Sequence, residues 1–317
     1  MHPSFINSLY EETEPDPLDY ERLNVTGSGK YWTEIYEPML IPTKVAGGLR
    51  WFGIALHHPR LTFNRMLTSP YLTRGVRFGC LAKFTDSRQS KEACTNEPNP
   101  LATYFQSHTE GPGIWKWMHY FDVYQRHLSK FVGREVHVLE IGIYSGGSLP
   151  MWREYFGERS HIYGVDIEDA CRIYEGERIK VFIGDQADRS FWAEFRKSVP
   201  TIDVLIDDGG HLAEQQIVTL EEMLPHMGPG GVYLCEDITS IDNRFAAYIQ
   251  GLSNNLNFAS WCSLENEAPG IASATSPFQS SINSIHLYPF VTVIEKSEVP
   301  LARLVSPKQG TQWQPFL

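Results

Sequence analysis

Asp207-Asp208-Gly209-Gly210-His211 and the pair Glu236-Asp237, which begins 28 positions after Asp208, gather four carboxylates and an imidazole into two short motifs of this 317-residue chain. Two or three carboxylate oxygens completed by water suit Mg²⁺ or another hard divalent cation. His211 follows Asp208 by three residues, where it can take a proton from a hydroxyl held next to such an ion. The plainer role for the aspartates is to cap the helix that follows.

A second group lies upstream. Glu140-Ile141-Gly142-Ile143-Tyr144-Ser145-Gly146-Gly147-Ser148 combines an acid with glycines that let the backbone approach a ligand, just before a helix start that offers free N–H groups. Glu140 can accept a hydrogen bond from a ligand ammonium, Asp166 can accept both hydroxyls of a ribose, and Asp185 can contact an adenine amino group. Gly142, Gly146 and Gly147 do not produce the GxGxxG spacing of dinucleotide enzymes, which disfavours a nucleotide-dependent oxidoreductase.

These residues need a scaffold that brings them to one edge. Val136–Ile141, Ile162–Val165, Ile179–Ile183, Val204–Ile206 and Val232–Cys235 are short, branched runs that read as strands, and acids stand at or just beyond their ends. Helical spacing fills the intervals at 117–131, from Ser148 to Phe156, and at 212–224, where Pro225 and Gly228-Pro229-Gly230-Gly231 stop it. Strands alternating with helices predict an α/β, Rossmann-like, doubly wound and mostly parallel sheet, with ligands at the strand C-termini. The run 284–296, around Pro289, predicts two strands in a tight turn that complete a seven-stranded sheet with an antiparallel last strand.

With these elements in place, the segments LEIGIYSGGS, GVDI, GDQAD, IDDGGH and GPGGVYLCEDI resemble those of class I S-adenosylmethionine-dependent methyltransferases, over residues from about 100 to 296. The nearer resemblance is to metal-dependent sugar and natural-product O-methyltransferases, the group of macrolide sugar methyltransferases and cephalosporin-hydroxylase-like proteins. Tyr144 departs from the alternate-glycine pattern of that family's loop. The resemblance implies S-adenosylmethionine bound by Glu140, Gly142, Tyr144, Ser145, Gly146, Ser148, Asp166, Asp185, Gln186 and Asp207. It implies Mg²⁺ or a similar cation on Asp208, Glu236 and Asp237, with Asp207 a ligand or a cofactor contact, and His211 as the catalytic base. It further implies that the stretch from Phe105 to Tyr120, with His108 and His119, lies over the cofactor cleft. The expected acceptor is a hydroxyl of a sugar or of a glycosylated or polyhydroxylated small molecule. A scaffold that binds the cofactor without turnover is the alternative of a different class.

Charge divides the chain unevenly. Residues 1–43 carry eight acids and two bases, 44–91 one acid and nine bases, and 92–317 twenty-nine acids and sixteen bases. The expected organisation is an extension over 1–100, basic at 44–91, followed by the catalytic domain over 101–317. The basic block also holds Trp51, Phe52, Phe63, Tyr71, Phe78 and Phe84, so it reads as a lid or an oligomerisation arm docked on acidic surface. A homo-oligomer is therefore expected. A net charge of −11 disfavours nucleic acid as a partner. Five scattered cysteines without a CxxC pair, an acidic start without a signal-peptide pattern and no apolar run of spanning length predict a cytoplasmic protein without a membrane span.

Overall fold

The computed structural model describes residues 59–81, 99–263 and 270–310. The chain falls into two compact units, 1–91 and 92–317. Of the first, the described part is one helix, α1 (Pro59–Leu81), along which Phe63, Tyr71 and Phe78 are exposed. Trp51, Phe52 and Phe84 of the basic block lie outside the described residues.

The second unit opens with α2 (Pro100–Ser107). Asn99 caps it by accepting from the Leu101 and Ala102 N–H groups, and Pro100 supplies the preset φ of a first helical residue. The boundary expected at residue 100 thus coincides with a helix start. The helical pattern over 117–131 resolves into α3 (Tyr120–Leu128) plus a tighter turn at Ser129–Phe131. There follow β1 (Val136–Ile141), α4 (Ser148–Phe156), β2 (Ser160–Asp166), β3 (Ile179–Ile183), α5 (Arg189–Ser198), β4 (Ile202–Asp207), α6 (Ala213–Met223), β5 (Met227–Cys235) and α7 (Arg244–Asn254). Beyond them come β6 (Trp261–Ser263), β7 (Gly270–Ala274), α8 (Pro277–Ser281), β8 (Ile282–Tyr288), β9 (Val291–Lys296) and β10 (Arg303–Pro307).

Seven strands form one sheet in the order β3-β2-β1-β4-β5-β9-β8, and β9 runs antiparallel to both its neighbours. The expected Rossmann-like sheet with an antiparallel strand is borne out. A small antiparallel sheet, β10-β7-β6, was not legible in the sequence. The strand order reverses between β1 and β4, which opens a crevice beyond their C-terminal ends.

Alternation along the strands sorts side chains between two apolar layers. Val136 and Val138 of β1, Val204 and Ile206 of β4, and Val232 and Leu234 of β5 pack with Tyr124, Trp152 and Phe156. Leu139 and Ile141, Leu205, and Tyr233 and Cys235 pack with Trp192, Phe195, Val218 and Phe245 on the other face. The same parity applies to the acids. Glu140 and Glu236 continue the first set toward α3 and α4, whereas Asp207 continues the second. No helix among the described residues is long and apolar enough to cross a membrane.

Candidate active site

Backbone ladders converge on the C-terminal edge of β1, β4 and β5. The Gly142 N–H donates to Val165 O at 2.8 Å, the Asp208 N–H to Ile141 O at 3.0 Å, and the Glu236 N–H to Asp207 O at 2.9 Å, so each motif leaves its strand at a set place beside the next. Gly142 has φ +81°, and a Cβ there would lie 2.0 Å from Asp208 O. The glycine is what lets the two motifs touch. Tyr144, His211 and Asp237, all expected site residues, adopt the left-handed region with φ of 44°, 56° and 55°. Such backbone is uncommon for side chains of this size and collects at functional sites.

Three of the expected residues meet at the mouth. A ligand atom from each of Asp208, His211 and Asp237 lies within 4.8 Å of the other two, with His211 Nε2 3.7 Å from Asp237 Oδ2 and 4.0 Å from Asp208 Oδ1. Glu236 is not in that cluster. Its parity turns it inward, fully buried, where Oε1 accepts from Tyr124 OH at 2.5 Å and Oε2 faces Lys116 Nζ at 3.1 Å. Lys116 is itself buried, 2.6 Å from Asp208 Oδ2 and 3.6 Å from Glu140 Oε1. Burial alone would lower its pKa, yet Asp208, Glu236 and Glu140 together raise it, so the ammonium stays charged. Burial pushes the Glu236 carboxyl up, an effect the ammonium opposes.

Glu140 accepts from Ser148 Oγ at 2.6 Å through Oε2, while Oε1 is buried without a hydrogen-bond partner. Asp166, at the end of β2, accepts from the Tyr144 and Glu168 N–H groups, both at 3.0 Å, and the Tyr144 ring is exposed beside this turn. Ser145 is half-buried and Gly146 buried in the same turn. Asp185 is exposed beyond β3, where it accepts from the Ala187 N–H.

Asp207 and Gln186, expected at the cofactor or the ion, spend their polar atoms inside the protein. Asp207 accepts from Gln186 Nε2, the Gly209 N–H and Tyr233 OH, while Gln186 Oε1 accepts from the Gly210 N–H at 2.7 Å. Together they brace the loop that carries Asp208 and His211. Neither aspartate caps α6, whose preceding Leu212 N–H is taken by Gln215. Burial raises the Asp207 carboxyl to about 6, against those three hydrogen bonds. Because the folded value exceeds the ordinary 3.8, the stability contributed by the protonated group is complete below that value and is lost as pH rises through about 6. The urea midpoint of the wild type should therefore fall from pH 4 to 7 by an amount worth about 2 kcal/mol more than that of Asp207→Asn, which has no proton to lose. Parallel curves for the two proteins would refute this.

Lys116, Trp117 and Tyr120 belong to the stretch expected over the cleft, but sequence reasoning gave none of them a role, and it missed Tyr124 altogether. Tyr120 OH donates to Asp237 Oδ1 at 2.6 Å and Trp117 Nε1 donates to the same oxygen at 3.0 Å. A lysine between two tryptophans, in the stretch expected over the cleft, was the available sign.

Residues 139–238 match a family model described as a methyltransferase domain. Demethylmacrocin O-methyltransferase of Streptomyces fradiae is 39% identical over 132 residues, 39% of this chain and 33% of that protein. The 8-demethyl-8-alpha-L-rhamnosyl tetracenomycin-C 2'-O-methyltransferase of Streptomyces olivaceus is 30% identical over 204 residues, 59% of this chain and 52% of that protein. The chain thus spans from a third to about half the length of these two relatives. The MycE methyltransferase of the mycinamycin biosynthetic pathway, solved in complex with Mg and SAH, superposes with a TM-score of 0.51 at 25% identity, covering 71% of this chain and 58% of that one. The resemblance to class I methyltransferases, and within them to sugar O-methyltransferases of natural-product pathways, is borne out.

Proposed function

We propose that this protein moves a methyl group from S-adenosylmethionine to a hydroxyl of a sugar or glycosylated small molecule, with a divalent cation at the acceptor side. The observation that carries the reading is the convergence, at the switch point of the sheet, of a buried Glu140 oxygen without a hydrogen bond, beside the Gly142 turn, with the Asp208, His211 and Asp237 cluster at the mouth. The first suits a ligand ammonium and the second a hydroxyl that must lose a proton. Relatives named as O-methyltransferases of demethylmacrocin and of an alpha-L-rhamnosyl tetracenomycin C support the choice of acceptor.

The donor set fits a hard cation, since Asp208 and Glu236 already converge on one positive charge, the Lys116 ammonium, and Asp237 presents a second oxygen toward His211. Asp208, Asp237 and Glu236 would hold it. Bound there, such an ion lowers the pKa of an acceptor hydroxyl. The chain's own residues do the rest. Glu140 and the Gly142–Ser148 turn anchor the methionine end, Asp166 the ribose and Asp185 the adenine, fixing the sulfonium methyl for in-line approach. The acceptor oxygen forms the new C–O bond as the C–S bond breaks, and His211 Nε2 receives the proton. Trp117, half-exposed, is pinned by its indole N–H on Asp237 and lies 5.5 Å from the Phe290 ring, which offers an apolar wall to the face of a sugar ring. We also read the enzyme as a cytoplasmic homo-oligomer. The buried free thiols Cys171 and Cys235 suit a reducing compartment, and light scattering checks the assembly.

Labelled S-adenosylmethionine, Mg²⁺ and a panel of rhamnosides, other deoxysugar glycosides and catechols test the reading together. Label is expected on a glycoside. Binding of SAH without transfer to any acceptor would favour a non-catalytic scaffold, and binding of NAD in its place would overturn the cofactor. Asp166→Ala is expected to weaken SAH by about 1.5–3 kcal/mol in calorimetry, the worth of hydrogen bonds to a charged group. An unchanged affinity would remove Asp166 from the cofactor site.

A further inference from the structure

We infer that Lys116 is a resident counter-cation that shares Asp208 Oδ2 and Glu236 Oε2 with the divalent ion, so that ion entry requires its ammonium to withdraw. The inference rests on the proposed metal dependence and goes beyond it. Three carboxylates, from β1, the β4 loop and the end of β5, surround one ammonium at 2.6, 3.1 and 3.6 Å, and the lysine side chain is 3% exposed. Three negative charges this close repel one another strongly where water is scarce, and the junction would not assemble around nothing. Lys116 lets it fold without an ion.

The contacts also show how the ammonium can leave. Lys116 sits on an irregular segment between α2 and α3, outside any helix or strand, and so is not held by a backbone ladder. Glu140 Oε1, 3.6 Å away, is the third carboxylate oxygen that faces the ammonium. Glu236 does not depend on the lysine alone, because Tyr124 holds its other oxygen. Asp208 is the exposed member, with 18% of its side chain open beside Asp237 and His211, which gives an ion a route from solvent. Lys116 is in this sense a positioning residue. It keeps the acids in place for a cation that later takes part of its role.

The test uses the full chain after exhaustive chelation, titrated with Mg²⁺ alone by calorimetry and followed by thermal unfolding. Lys116→Met and Lys116→Gln remove the charge, and Lys116→Arg keeps it. Mg²⁺ is expected to bind both neutral variants about tenfold or more tighter than the wild type, because a competing charge has gone. It is also expected to raise their unfolding temperature by more than it raises that of the wild type or Lys116→Arg. If the neutral variants do not fold after chelation, Mg²⁺ should restore the fold, and failure to do so overturns the inference. Equal Mg²⁺ affinity in wild type and neutral variants overturns it while leaving the metal reading intact. No Mg²⁺ binding by the wild type, while SAH still binds, rejects the metal reading and the inference with it.

Discussion

Loss of the imidazole at position 211 is expected to slow methyl transfer by about 10²–10⁴-fold, the usual contribution of a positioned general base, and to leave SAH affinity unchanged. His211 Nε2 stands 3.7 Å from Asp237 and 4.0 Å from Asp208 with 41% of the side chain open to the mouth, so it meets an acceptor rather than the cofactor turn. The backbone there has φ 56°, a conformation that asparagine accepts more readily than alanine does. His211→Asn is therefore the cleaner variant, because it removes the proton-accepting nitrogen without adding backbone strain. Single-turnover rates with saturating labelled S-adenosylmethionine decide the matter. A wild-type rate in His211→Asn would reduce His211 to a loop residue.

Gly142→Ala is expected to cost about 3–5 kcal/mol of stability and to abolish SAH binding, because strain and overlap act together. The added Cβ would meet Asp208 O at 2.0 Å, Asp208 C at 2.7 Å and Gly209 Cα at 2.9 Å, all backbone atoms that cannot swing away. The glycine turn and the Asp208 loop would have to part, and with them the two halves of the site. Gly133 supplies the control, with a similar φ of +73° and nothing within 4 Å of the place an added methyl group would take. Gly133→Ala should lose only the conformational cost, about 1 kcal/mol. Urea unfolding that gives the two variants equal losses would show that the overlap relaxes freely and that the contact between the two motifs is not essential.

Much of the sheet was legible in the sequence, for a local reason. Branched runs ended by acids, separated by helical spacing and by glycine or proline stops, allow few arrangements other than a parallel sheet with its ligands at one edge. LEIGIYSGGS and IDDGGH marked the two halves of the site, because glycine and clustered carboxylates are expensive unless a ligand or close approach requires them. The β10-β7-β6 sheet left no such mark. Its strands are short and lack strong alternation, and β10 pairs with a strand about thirty residues before it.

What the sequence by itself determined is which residue types reach the C-terminal edge: Glu140, Asp166, Asp207, Asp208, Glu236 and Asp237 each follow from a strand end. The tertiary structure alone decided where each carboxylate points and what faces it. Period-two alternation, counted from Val232 and Leu234, sends Glu236 into the same layer as Glu140 and leaves Asp207 in the opposite one, beside Gln186 and Tyr233. That parity could have been counted in advance. The partner could not, because Lys116 lies 92 residues from Asp208 and 120 from Glu236 in sequence, on a segment with no regular periodicity. A buried charge chooses its partners by what surrounds it after folding, since only desolvation makes those ion pairs strong, and desolvation is a property of the packed chain.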